Sequence, residues 1–131
     1  MRLLAKLLFP ALFALCASPA LAVSDEEKTS QACEKIYAEL CKDVAKGPDR
    51  LVLCAAKHQD LAIPDKCQAD YQQKFEAIVD VETQECVTNA RPLCKSVKTA
   101  LEGVEFLTAC GKANPSVYSK LKPVCKAIAG E

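Results

Sequence analysis

Between residues 33 and 44 the apolar positions Cys33, Ile36, Tyr37, Leu40, Cys41 and Val44 return every three or four residues, while Glu34, Lys35, Lys42 and Lys46 fall on other faces. That period marks an amphipathic helix. Thr29 or Ser30 is expected to cap its start, and Gly47-Pro48 to stop it. Pro48 suits the first turn of a second helix, whose inward stripe reads Leu51, Cys54, Ala55 and His58. Pro64 opens a third, followed by Cys67, Tyr71, Phe75 and Ile78 on the way to Cys86. Alternating β-branched runs, the mark of strands, do not compete. The expected class is all-α, made of helical hairpins.

Ahead of this pattern stands a different kind of segment. Arg2 and Lys6 carry positive charge, an apolar stretch with Pro10 and Pro19 runs from Leu7 to Leu21, and Ala20-Leu21-Ala22 has the small-x-small form that signal peptidase accepts. The stretch is about 15 residues, short of the roughly 20 that a spanning helix needs. Attachment of lipid at Cys16 would want a small residue where Leu15 stands. Residues 1–22 are therefore expected to be a signal peptide, and 23–131 one small exported domain that does not span the membrane. Its compartment would be the periplasm or the cell exterior.

Of 131 residues, nine are cysteine. Removing 1–22 takes away Arg2, Lys6 and Cys16, leaving 109 residues, 15 basic and 17 acidic groups and eight cysteines. An even count behind an export signal predicts four disulfides in an oxidising compartment. The gaps read C-x7-C-x12-C-x12-C and then C-x7-C-x15-C-x14-C. Leu40-Cys41-Lys42 with Val44 matches Leu93-Cys94-Lys95 with Val97, and Gly47 and Gly103 each precede the third cysteine of a set by seven residues. Two tandem disulfide-stapled helical-hairpin repeats, over about 30–70 and 83–128, are the expected organisation. A turn near Pro48 puts Cys41 and Cys54 at similar height on opposite arms, with Cys33 and Cys67 both at the far end. Nested bridges Cys41–Cys54 within Cys33–Cys67 follow, and by repetition Cys94–Cys110 within Cys86–Cys125, though Pro92 and Pro123 interrupt the second set of helices.

The stretch Cys33…Leu40-Cys41-x-Asp43-Val44…Gly47…Arg50-Leu51-x-x-Cys54…His58…Cys67 resembles the cysteine-rich repeat of Golgi apparatus protein 1, also described as a cysteine-rich fibroblast growth factor receptor and E-selectin ligand. Related short proteins with export signals occur in bacteria. Cysteine spacing, the Gly-x-x-Arg turn and His58 coincide over 33–67, whereas Ala55 departs from the family's usual Leu. Residues 86–125 keep the four cysteines but place Phe106 where the turn arginine would stand. The resemblance implies a secreted, disulfide-linked helical repeat and carries no catalytic residue.

Candidate chemistry is sparse. His58 is the sole imidazole, and its place on the apolar stripe favours a partly buried structural role. Without a second histidine or a free thiol, neither a triad nor a Cys–His nucleophile can be assembled. Glu26, Glu27, Glu34, Glu39 and Asp43 lie on or before a solvated face, with no pair standing out as an acid–base couple. No enzyme activity and no cofactor are expected. Soft-ion binding by eight thiols, copper for example, or thiol buffering is the alternative. Zinc sites and thiol oxidoreductases use close pairs such as C-x-x-C, absent here, and the eight-residue spacing separates sulfurs by about 12 Å along a helix.

Charge is uneven: residues 23–86 carry 14 acidic and 8 basic groups, residues 87–131 only 3 acidic against 7 basic. Lys95, Lys98, Lys112, Lys120, Lys122 and Lys126 make the back half a candidate face for an anionic surface ligand or an unknown protein, or for head-to-tail self-association. Without interleaved aromatics, nucleic acid is not an expected partner. The sequence thus predicts an exported, non-catalytic interaction or structural module.

Overall fold

Ser24, not Thr29 or Ser30, starts the first helix: its Oγ accepts from the backbone N–H of Glu27 at 3.2 Å. Asp25, Glu26 and Glu27 fill the first turn of α1 (Asp25–Leu40), where carboxylates oppose the positive end of the helix dipole. The computed structural model describes residues 23–130; the expected signal peptide, with Arg2, Lys6 and Cys16, lies outside them. Helix α1 ends earlier than the stripe through Val44 suggests. Residues 41–44 form a turn in which Val44 N–H donates to Cys41 C=O, so the apolar period continues while the helical hydrogen bonding does not.

Pro48 precedes the second helix rather than entering its first turn, because α2 (Arg50–Lys57) begins after Asp49. Its stripe faces two ways: Leu51 and Cys54 enter one apolar cluster, Val52 the other. After Pro64 a single 3-10 turn, Asp65–Cys67, leads into α3 (Gln68–Ala90). At 23 residues this helix is about 34 Å long. Helices α4 (Gly103–Ala113), α5 (Pro115–Tyr118) and α6 (Pro123–Ile128) complete the chain. Pro115 and Pro123 stand at helix starts, where a missing N–H costs nothing. No strand occurs among the described residues, and the class is all-α.

Helix α3 is the spine, packing on α1, α2, α4 and α6. One cluster gathers Cys33, Tyr37, Cys41, Leu51, Cys54, Ile63 and Cys67; the other is built on Cys86, Ala90, Phe106, Leu107, Cys110, Val124 and Cys125. Phe75 and Ile78 of α3 pack against both. Helices α2, α5 and α6 are short and the core small, so covalent bridges carry a large share of the constraint.

Candidate functional site

All eight cysteines of residues 23–130 are in disulfides: Cys33–Cys67, Cys41–Cys54, Cys86–Cys125 and Cys94–Cys110. Their Cα atoms stand 5.5–5.7 Å apart, and none is more than 3 % exposed. Each shorter bridge lies inside a longer one in the chain. Such bridges belong to an oxidising environment, and they leave no thiolate among the described residues to hold a soft ion. No group of three His, Cys, Asp or Glu side chains among those residues is placed to bind a metal. No described helix is long and apolar enough to cross a membrane.

Two polar clusters hold the first three helices. At one, Tyr37 of α1 donates its hydroxyl to Asp70 at 2.8 Å and reaches the Cys67 carbonyl at 3.1 Å. Lys74 sits 3.0 Å from Ser30 Oγ and from Glu34, and 3.3 Å from Asp70. Burial pushes the Tyr37 phenol above the usual tyrosine range, and the Asp70 carboxylate beside it pushes further. Burial alone would raise Asp70, but hydrogen bonds from Ser30, Tyr37 and Lys74 hold it below its ordinary value. The Tyr37 ring meets Tyr71 edge-on at 5.8 Å, and Tyr71 stacks on Phe75. This network ties α1 to α3; the tyrosine is held as a neutral donor, which is a structural role.

The other cluster contains the lone histidine. His58 lies one residue past the end of α2, so it leaves the apolar stripe and is 38 % exposed. Its Nε2 stands 2.9 Å from the Asp43 carboxylate, which Lys57 Nζ also reaches at 2.9 Å. The hydrogen bond from Lys57, then that from His58, lowers the Asp43 carboxyl to about 2. Asp43 comes from the turn after α1, so the arrangement clasps the α1–α2 turn. No hydroxyl or thiol of the described residues joins it.

The structure sorts the six candidate lysines. Lys122 forms an ion pair with Glu85 of α3, whose carboxylate raises the ammonium above its ordinary value. Lys126 turns back to the Ser119 carbonyl at 3.1 Å. Lys95, Lys98, Lys112 and Lys120 are exposed and form no ion pair with a described residue. A groove of 320 Å³ between α2, α3, α6 and the start of α4, lined by Val52, Ala55, Phe75, Val79, Val104 and Ile128 among others, presents no charged group.

Sequence reasoning missed Leu93, which is 53 % exposed beside Lys95, because a single apolar residue in a turn has no period to betray it. It also missed the Arg91 guanidinium, 4.6 Å from the Phe106 ring centre and bonded to the Leu101 carbonyl at 3.0 Å. Phe106, expected only as a missing arginine, is thus a buried anchor for a different arginine. Comparison with protein-family models, with curated proteins and with solved structures finds no match.

Proposed function

We propose that this chain is an exported, non-catalytic scaffold that works by binding, in the periplasm or outside the cell, and that its halves are two copies of one cysteine-rich unit akin to the repeat of Golgi apparatus protein 1. The observation that carries the reading is the consumption of all eight described cysteines by four buried disulfides. A copper store or thiol buffer needs those sulfurs free. A binding scaffold needs the opposite, because bridges that stiffen a small helical surface lower the entropy lost when a partner docks on it.

The test is the intact mass of the native protein, with and without alkylation, in native and then denaturing solvent. A start at Val23, a deficit of eight hydrogens and no alkyl adduct agree with the proposal. Thiols that take up the reagent, or metal mass lost on denaturation, overturn it in favour of metal or thiol chemistry.

A further inference from the structure

We propose that the end of the molecule carrying Leu93, Lys95 and Lys112 adsorbs to an anionic lipid surface, with Leu93 entering the headgroup boundary and the lysines lying over the phosphates. The proposal rests on the reading of the chain as a binding scaffold and names its partner.

The juxtaposition comes from the Cys94–Cys110 bridge, which holds the two Cα atoms 5.6 Å apart and packs the turns after α3 against the last half of α4. Asn114, the residue after that helix, donates to Ser96 Oγ at 3.4 Å. Lys95 is the neighbour of Ser96 and Lys112 lies two residues before Asn114, so both belong to one end of the molecule. Lys98 does not: its carbonyl accepts from Leu101 N–H, which sets it in the turn leading into Glu102, at the other end of α4 from Lys112, and it takes no part.

Neither Lys95 nor Lys112 forms an ion pair with a described residue. Residues 87–101 and 106–130 contain no Asp or Glu. Glu102 and Glu105 stand at the opposite end of α4, about 10–15 Å along the axis from Lys112. Lys122 and Lys126, by contrast, are engaged by Glu85 and the Ser119 carbonyl and take no part.

Leu93 decides the class of partner. Among the described residues it is one of four large apolar side chains left exposed, and it stands between Pro92 and the bridged Cys94, two residues before Lys95. Peripheral membrane binding adds apolar insertion to attraction by anionic headgroups, two weak signals that become effective together. A sulfated glycan would engage the lysines and ignore the leucine. Single-stranded nucleic acid would want exposed aromatics, and Phe106 and Tyr118, the aromatics of the back half, are buried.

The experiment is co-sedimentation of the oxidised chain, its start established by intact mass, with vesicles of mixed phosphatidylglycerol and phosphatidylcholine, against pure phosphatidylcholine. Expected is partition to the mixed vesicles, lost at high salt. The pair Lys95→Gln and Lys112→Gln should lower the partition coefficient roughly 25-fold, at about fivefold for each charge. Leu93→Ser should lower it several-fold with the salt dependence retained, and Lys122→Gln should leave it unchanged. All four positions are exposed, so folding is checked simply by the circular dichroism of each variant. Equal binding to both vesicle types, an absence of binding, or retention by a sulfated glycan with no vesicle partition overturns the proposal. Those outcomes leave the scaffold reading standing, since that reading turns on the thiol count.

Discussion

Arg50 donates twice to the carbonyl of Cys41, from Nε at 3.0 Å and Nη2 at 2.6 Å, and Nη2 also reaches the Ala38 carbonyl at 3.4 Å. Helix α1 has no basic residue in its last turn, so its C-terminal carbonyls are capped from the start of the next helix. The physical content of the Gly47-x-x-Arg50 turn is therefore a charged cap across a hairpin whose arms Cys41–Cys54 already joins.

A lysine cannot reproduce that fork. Arg50→Lys is expected to cost about 1–2 kcal/mol, because one ammonium replaces two directed donors on one carbonyl. In a domain of this size that is a fall of roughly 4–8 °C in Tm for each kcal/mol. Thermal unfolding followed by circular dichroism measures it, and an unchanged Tm would show the cap to be idle.

The Asp43 clasp makes a pH prediction with a defined sign. The carboxyl is drawn down to about 2 by Lys57 and His58, from an ordinary value near 3.9. The clasp therefore contributes in full above pH ~4 and is lost as pH falls towards about 2. Asp70 is depressed too and loses its contribution in acid, so the informative quantity is the difference between wild type and Asp43→Asn. The two melting temperatures should differ at neutral pH, draw together as pH falls towards 2 and converge below it; a gap that persists there would assign the effect to something other than ionisation.

How far the sequence could be read depends on which signals are local. The stripes on α1 and α2 and the start of α3 after Pro64 are periodic and visible. The cap is Ser24 because α1 begins two turns before its apolar stripe, over residues that stay in solvent; Ser24 with Glu27 three positions on is a capping pattern that reading from the stripe passes over. Helix α2 stops at Lys57, which turns His58 from a stripe member into a partner for Asp43, a contact across the hairpin that no local pattern encodes. In the back half, α5 and α6 have four and six residues, too few for a period to register. Their places follow from prolines, bridges and the packing of Gly111 on Tyr118.

Gly111 tests that packing. A Cβ built there would lie 2.9 Å from Tyr118 Cδ2, closer than side chains tolerate. Gly111→Ala in the last turn of α4 would gain at most about 1 kcal/mol from helix propensity alone, yet the ring must shift, at about 1–3 kcal/mol. A net loss of stability is expected. In a Tyr118→Ala background the same change should become stabilising, and urea midpoints for the four proteins close the cycle.

Thr83 carries the opposite expectation. Its Oγ1 is buried without a hydrogen-bond partner, the one such side-chain atom among the described residues. Thr83→Val keeps the shape and removes the unmet polar group, so a gain of about 1 kcal/mol is expected. A lower urea midpoint would mean that the hydroxyl has a partner in solution.

The two bridges of each half differ in the chain they close, and this separates entropy from geometry. Cys33–Cys67 spans 34 residues and Cys41–Cys54 spans 13, while Cys86–Cys125 and Cys94–Cys110 span 39 and 16. If bridges act by restricting the unfolded chain, the longer loops are worth roughly 4 kcal/mol and the shorter roughly 3. All eight sulfurs are buried to a similar degree, so replacing any pair by alanine leaves comparable cavities and the packing loss largely cancels in the comparison. Each outer pair should then cost about 1 kcal/mol more than the inner pair it encloses, read as the unfolding free energy extrapolated to water with each variant's own denaturant slope, which rises as the unfolded chain is released. Loss of an inner pair costing as much as the outer would place the stabilisation in the folded hairpin, where Arg50 caps the carbonyl of Cys41, and not in the unfolded chain.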